Sequence, residues 1–466
     1  MSGAIQRDVV IVGGGLAGTA AALALSEHHT ATSGKGITLL DRRPTLGGRA
    51  YSYKHPALAE TIDSQHIVLG CCTNLVDLMD RAGGADSIRW YDEFFFLEPN
   101  GRRSRLRSGM LPAPSHQTMS FMRAQMLGIG DKVGIARGLM AFLRDYPSSD
   151  SESFAAWLKR SRQTDRAIRH FWEPVVLAAL NDGFENCSIK YAGKLFHELF
   201  LRSAKAGRFG IPTLPLSEWL APLTDLATSR EVDVRTKSGM TSLEEMPGGR
   251  WRVNTDGAVF EASNVILAVD FKQTQSVLRG LPGGDSMAAN LEHFVAAPIT
   301  TIHLWYDREV IDLDHAVLLD TRIQWIFTKS RIRQWKAEQG TYLELVISAS
   351  WPELKMSREE ILAAALEELA MFFPAVKTAR LVKSGVLKEA RATFSVTPGL
   401  DKYRPSQKTQ WPGLYLAGDW TQTEWPSTME GAVRSGRLAA GELMGERMRY
   451  MAEELPAGGV MPLLVR

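Results

Sequence analysis

The sequence predicts an α/β fold: one open parallel sheet drawn from both ends of the chain, with an α+β unit inserted between. Three observations predict it. A buried strand runs into a glycine loop and a helix at Val9 to Gly18. A second strand-and-glycine segment, Gly413 to Trp420, precedes another glycine-bearing helix near the C-terminus. The long stretches between lack that pattern. At 466 residues the chain is long enough for two or three domains.

The N-terminal element is Val9-Val10-Ile11-Val12, an uninterrupted apolar run of the kind buried on both faces of a parallel sheet. Gly13-x-Gly15-x-x-Gly18 then opens a helix from Leu16 to about His28, with Leu16 and Ala17 in its first turn. Glycines at these spacings serve a tight turn, close approach to a pyrophosphate, and helix–strand packing. The helix start offers free N–H groups and a positive dipole end. The next strand, Ile37 to Leu40, ends at Asp41 and Arg42, with Asp41 placed to accept from an adenosine ribose. The polar stretch from His28 to Gly36 lengthens the usual spacing of about 20 residues and reads as a surface insertion. Strand, glycines, helix, strand and acid in this order specify a Rossmann-type nucleotide site far better than the glycines alone.

FAD is the expected cofactor because of the run directly after Asp41. Gly47-Gly48-Arg49 lets backbone approach a pyrophosphate and sets a guanidinium beside it. Val265 to Asp270, which includes Ala268, reads as another core strand. Val232 to Leu243 and Arg250 to Val259 read as strands of a small antiparallel unit. Leu414 to Ala417 ends at Gly418-Asp419, and Asp419 is placed to accept from a ribityl chain. Pro426-Ser427-Thr428 starts a helix through about Arg447. N–H groups near Met429, followed by Ala432, would face the N1–C2=O edge of a flavin and stabilise its reduced anion.

The inserted unit reads as a sheet flanked by helices. Phe171 to Asn181 is an apolar helix with an internal proline, Ile299 to Tyr306 and Leu343 to Ala349 alternate as strands, and Ser357-x-x-Glu360 is a capping box. Phe171, Trp172, Trp305, Trp325, Phe394 and Trp425 are candidate linings of an apolar pocket, or simply core. From Met110 to Pro147, methionines and other apolar residues are interspersed with Arg123, Lys132, Arg137 and Arg144. The segment is either an interfacial element or core.

Composition excludes several classes. The 54 basic and 52 acidic residues nearly cancel, so no nucleic-acid partner is expected. Three cysteines (Cys71, Cys72 and Cys187) form no disulfide framework and fit a reducing cytoplasm. Cys71 and Cys72 lack redox spacing, and no Cys/His cluster has metal-ligand spacing, so no metal is expected. No signal-peptide pattern stands at the N-terminus. No apolar run reaches the roughly 18 residues a spanning helix needs.

The Gly-Gly-Arg run, continued in Ile62-Asp63-Ser64-Gln65-His66 to Gly70, resembles the GG-doublet flavoproteins, which include amine oxidases and carotenoid desaturases. That resemblance implies that Ser64, Gln65 and His66 pass beside the flavin and that Met240 touches adenine through its backbone. Nearly the full chain resembles the hydroxysqualene dehydroxylase family, the squalene-associated FAD-dependent desaturases. The residues carrying this are Asp63 to Gly70, Phe171-Trp172-Glu173-Pro174 with Ala178 to Asn181, Pro298 to Asp307, Arg391 to Phe394, and Ala417 to Val433. Ser64 departs from an Asn-Gly type pair, and Glu424 stands where that family has glycine before Trp-Pro.

The resemblance implies loss of an allylic hydroxyl from an apolar C30 isoprenoid and gain of hydride from reduced flavin, in hopanoid synthesis at the inner face of the cell membrane. His66 is the candidate general acid, or else only orders the flavin loop. His303 reads as structural. No nicotinamide site is evident, so electrons are expected from a separate protein or a transiently bound nicotinamide. A phytoene-type desaturase shares the fold and an apolar substrate. An amine oxidase would carry a lysine where Thr301 stands. A non-catalytic prenyl-protein escort would have lost the intact glycines, Arg49 and Asp419. The expected division is residues 1–70, 215–290 and 391–447 for FAD, 71–214 and 291–390 for substrate, and a tail from 448 to 466.

Overall fold

The computed structural model describes residues 3–27, 36–143 and 146–464. The stretch 28–35, read above as an insertion, and Arg144 lie outside the described residues.

Two seven-stranded sheets organise the chain. The first has the order Asp233–Arg235, Ile37–Leu40, Ile5–Val12, Val259–Leu267, Arg250–Thr255, Met240–Met246, with Leu414–Leu416 also pairing Val259–Leu267. Pairing around Ile5–Val12 is parallel on both sides, as the unbroken Val9 to Val12 run requires. Arg250–Thr255 and Met240–Met246 form the antiparallel edge. The stretch Val232 to Leu243 is therefore not one strand. Asp233–Arg235 joins Ile37–Leu40 in parallel, and the chain turns before Met240 to enter the antiparallel edge. The helices Leu16–Ser26 and Met429–Leu443 stack beside this sheet, and every residue of the first is buried. The C-terminal helix starts at Met429 rather than Pro426, because Thr428 is its N-cap and accepts from the Gly431 N–H.

The second sheet has the order Leu381–Phe394, Ala296–Tyr306, Thr341–Ser348, Trp325–Thr328, His315–Leu318, Glu93–Leu97, Arg103–Arg107. Leu381–Phe394 pairs with Ala296–Tyr306 along most of its length, so the substrate sheet runs through Phe394 and a boundary at residue 391 divides a strand. Helices cover this half. The Phe171 to Asn181 segment is not one regular α-helix. A π-helical turn, Ile168–Trp172, leads directly into Glu173–Leu180, and Pro174 follows just after the point where the wider turn interrupts the α-helical bonding. The tail packs back on this half: Gly458 N–H donates to Arg202 O, and Met461 is buried. The Met110 to Pro147 segment is partly core and partly exposed. Met126, Leu127, Ile135 and Phe142 are core, whereas Met110, Met119, Met122, Ile129 and Met140 face outward.

Candidate active site

A single cavity of about 1050 Å³ runs from the N-terminal glycine loop to an aromatic wall between the sheets. Of the residues expected to touch the cofactor, Gly13, Gly15, Leu16, Ala17, Asp41, Arg42, Gly47, Gly48, Arg49, Ser64, Gln65, His66, Met240, Ala268, Gly418, Asp419, Pro426, Thr428, Met429 and Ala432 all line it. Gly18 does not. A Cβ there would meet the Gly13 carbonyl oxygen at 1.9 Å, so its role is helix–strand packing.

The cofactor end is a cradle of backbone. A Cβ on Gly48 would stand 2.9 Å from Gly15 Cα, so two bare backbones form the floor. The helix Leu16–Ser26 has no side-chain cap, which leaves its first N–H groups free for an anion. Asp41 accepts from Gly14 N–H and Arg43 N–H, both at 2.7 Å, and its carboxylate keeps lone pairs for a ribose. Arg49 donates to Asp419 at 2.5 Å across the cavity. These features fit FAD. Glycine floor and helix start would hold the pyrophosphate, Asp41 the adenosine ribose, and Asp419 with the Met429 helix start the ribityl and ring end.

Arg404 organises the loop that carries Asp419. It is 2% exposed, and one guanidinium NH2 group points its two protons into a ring of acceptors, the carbonyls of Asp419, Thr421 and Trp425 and the Thr423 hydroxyl, at 2.6 to 3.1 Å. Glu424, at the glycine-type position, has φ of +60° and is tied to Lys190 at 3.0 Å. The backbone there is left-handed, which is what a glycine would supply without strain.

The Asp63 to His66 loop is held from behind by the substrate domain. Lys329 Nζ donates to Gln65 Oε1 at 2.6 Å and Asp63 Oδ1 at 3.0 Å, and stands 3.2 Å from Glu344 Oε2. Gln65 N–H donates to the other Glu344 oxygen at 2.6 Å. Burial raises Asp63, but Lys329 and Arg333 outweigh it and hold the acid down at about 2. Burial pushes Glu344 up to about 7, against the pull of Lys329. Nothing local in the sequence marks Lys329 or Glu344, which lie far from Asp63 along the chain.

The surroundings of His66 favour a neutral ring. Its Nδ1 lies 2.8 Å from the Ser64 carbonyl, which can only accept, so Nδ1 carries a proton, and in the neutral ring Nε2 carries the lone pair. Burial also lowers its pKa, which favours the neutral ring. His303 is fully buried, held by Tyr342 at 3.0 Å, and lowered by burial to about 3, as a structural histidine should be.

The remaining wall is mostly apolar: Phe94, Phe200, Phe209 and Trp325, with Leu199 and Val175. Trp325 and Trp425 line the cavity as expected. Phe171, Trp172, Trp305 and Phe394 are core instead. Phe171 and Trp172 sit in the π-helical turn and pack on Phe154, Phe196 and Phe200, while Trp305 stacks on Tyr342 at 4.4 Å. Cys71 and Cys72 are buried thiols in the wall. Thr301 lines the cavity and sits 3.3 Å from His303. Among the described residues no cluster suits a metal ion. Lys194 and Glu198 also line the wall, and neither was singled out from the sequence.

A nucleotide cradle in a discontinuous parallel domain, opening onto an apolar chamber, defines an FAD-dependent oxidoreductase fold. The chain belongs to the family of flavin-containing amine oxidoreductases, whose model matches residues 16–444. It is 27% identical over 459 residues to the 15-cis-phytoene desaturase of Solanum lycopersicum, covering 93% of this chain and 77% of that protein. It is 25% identical over 490 residues to the zeta-carotene desaturase of Synechocystis sp., covering 96% and 99%. Among solved structures, a putrescine oxidase matches with a TM-score of 0.70 at 18% identity, covering 95% of this chain and 100% of that one. Cyclohexylamine oxidase from Brevibacterium oxydans matches at 0.67 with 15% identity, covering 94% and 99%. The structural likenesses establish the fold. The cofactor is FAD.

Proposed function

We propose that this protein carries out flavin redox chemistry on a long, linear isoprenoid. The observation that carries this is the chamber beyond the cofactor cradle, with Phe94, Phe200, Phe209 and Trp325 in its wall. Each chain methylene buried there is worth about 0.8 kcal/mol. When bound, FAD supplies two-electron transfer at its ring. The chain's own residues bind the pyrophosphate and ribose, exclude water from the chamber, and hold the Asp63 to His66 loop in place through Lys329 and Glu344.

Two reactions fit this chamber. Desaturation of a polyene precursor is supported by the named relatives, all phytoene or zeta-carotene desaturases over nearly the full chain. Reductive dehydroxylation of hydroxysqualene to squalene is supported by the Phe171 to Pro174 and Trp425-Pro426 runs. The relatives weigh toward the first, and those particular runs toward the second. Thr301, in place of a lysine, speaks against amine oxidation. An anaerobic experiment separates them. If photoreduced protein reoxidises on adding hydroxysqualene and squalene appears, the reaction is dehydroxylation. If oxidised protein is bleached by phytoene, it is desaturation. If neither substrate changes the flavin band, the isoprenoid reading falls.

The same reading places the protein on a membrane surface of the cytoplasm. Among the described residues no helix is long and apolar enough to cross a membrane. Met119, Met122, Ile129 and Met140 are exposed beside Arg123 and Arg137. Phe121, on the same helix, packs on Phe171, which packs on Phe200 of the chamber wall, so the exposed face lies two rings from the cavity. Replacing Met119, Met122 and Met140 by Ser is expected to lower co-sedimentation with anionic liposomes severalfold. Phe121 is left intact because its ring is structural. Unchanged pelleting would remove this placement.

A further inference from the structure

Lys194 stands in the helix Ile189–Phe196 with 9% of its surface exposed, in the cavity wall. Its ammonium has one polar partner, the Tyr146 hydroxyl at 3.2 Å. No carboxylate lies within 4.0 Å of it among the described residues; Glu454 feels its charge from further off but is held by Arg202 at 3.1 Å, whereas Lys190, one turn before Lys194, pairs with Asp401 at 2.6 Å and Glu424 at 3.0 Å. Glu198, one turn later and also in the wall, is held by Arg202 at 2.8 Å. The Lys194 nitrogen lies 5.0 Å from the Trp425 ring centroid. Trp425 directly precedes Pro426 to Thr428, so this cation stands at the cofactor end of the chamber.

An ammonium taken out of water without a carboxylate partner is costly. Aromatic faces return only part of that, and one hydroxyl satisfies one of three donors. The rest calls for an oxygen acceptor supplied by whatever fills the chamber. The neutral His66 ring does not compete for the role of donor to such an oxygen, since its one N–H proton, on Nδ1, is committed to Ser64.

We infer that Lys194 is a hydrogen-bond donor to an oxygen carried by the bound isoprenoid, so that the cavity takes an isoprenoid alcohol in preference to the bare hydrocarbon. This rests on the isoprenoid reading above and narrows it. An alcohol and a hydrocarbon on one skeleton bury the same apolar surface, and they differ in affinity by what Lys194 contributes. Lys190 gives no such selectivity, because its charge is already neutralised.

The test uses the full-length, FAD-loaded, oxidised protein in detergent, titrated separately with hydroxysqualene and squalene, with binding read from tryptophan fluorescence. The native protein is expected to bind the alcohol about tenfold more tightly. Lys194→Met is expected to bring the ratio of dissociation constants to about one. Lys194→Arg, which keeps the charge and is the second variant should the first lose its flavin, is expected to retain most of the preference. A general loosening of the chamber would weaken both ligands together and leave the ratio unmoved. A native ratio near one, or a ratio unchanged in Lys194→Met, overturns the inference while squalene binding still supports the chamber. Failure of both ligands to bind the native protein overturns the isoprenoid reading itself.

Discussion

The cofactor half and the substrate half of the cavity are built on opposite plans. In the cofactor half, contiguous residues do the work: Gly13 to Gly18 at one end of the chain, Gly418-Asp419 and the Met429–Leu443 helix at the other. Backbone is the binding group, so a short motif with fixed spacing suffices. In the substrate half, single charged side chains from distant elements converge. Lys329, just after the strand Trp325–Thr328, reaches Asp63 across 266 positions and stands 3.2 Å from Glu344. A buried charge must be answered wherever the fold brings its partner, and the sequence distance between them carries no information. Backbone sites can be spelled by a motif, whereas buried ion-pair sites are only assembled.

The comparison is tested most severely at Lys329. Lys329→Met leaves Asp63 and Glu344 buried without their shared cation, and a loss of about 3–5 kcal/mol in unfolding free energy is expected from denaturant titration. A loss under about 1 kcal/mol would mean that the assembled half is not held by its charges. Gly18→Ala probes the motif half. Its Cβ would meet the Gly13 oxygen at 1.9 Å, so the glycine turn must move, at about 1–3 kcal/mol, and purified protein is expected to lack most of its visible flavin absorbance. Full flavin content in that variant would detach Gly18 from the cradle.

Glu344 supplies a pH test of the assembled half. Its acid is raised by burial from an ordinary 4.5 to about 7, so its contribution to stability is fully present below 4.5 and is lost as pH rises through 7. Asp63 has the opposite sign: held at about 2, it contributes above 3.8 and loses that contribution as pH falls toward 2. Thermal melts of Glu344→Gln against the native protein should converge at low pH and separate in favour of the variant between pH 4.5 and 7. Parallel curves would show that Glu344 is not the titrating group. The smallest effect is expected at Glu424, where the two plans meet. Glu424→Gly relieves the left-handed backbone at +60° and gives up a solvent-exposed ion pair with Lys190, so melting should rise by no more than about 1 kcal/mol equivalent. A clear loss would show that the ion pair outweighs the strain.

The tryptophans and the histidine show where legibility stopped. Trp325 and Trp425 were expected in the wall and are there. Phe171, Trp172 and Trp305 had the same composition signal and are core. An aromatic residue in a sequence reports burial, and whether its neighbour is a ligand or another ring depends on which face the helix or strand presents. His66 was placed beside the flavin by its motif, but which nitrogen carries its proton follows from the Ser64 carbonyl, and burial favours the neutral ring, neither of which the motif spells. The reverse case is Lys194, one of two lysines a turn apart in an unremarkable helix. Its neighbour Lys190 is answered by two carboxylates and it is not.

By itself the sequence determined the parallel sheet, the position of the cofactor cradle, and FAD as its occupant. These depend on local conformation: bare backbone at glycines, free N–H groups at helix starts, and an acid at a strand end. The tertiary structure alone decided which charges are paired, which rings face the chamber, and which cation is left for a ligand. Those depend on desolvation, and a side chain's desolvation is set by whatever the rest of the chain packs around it.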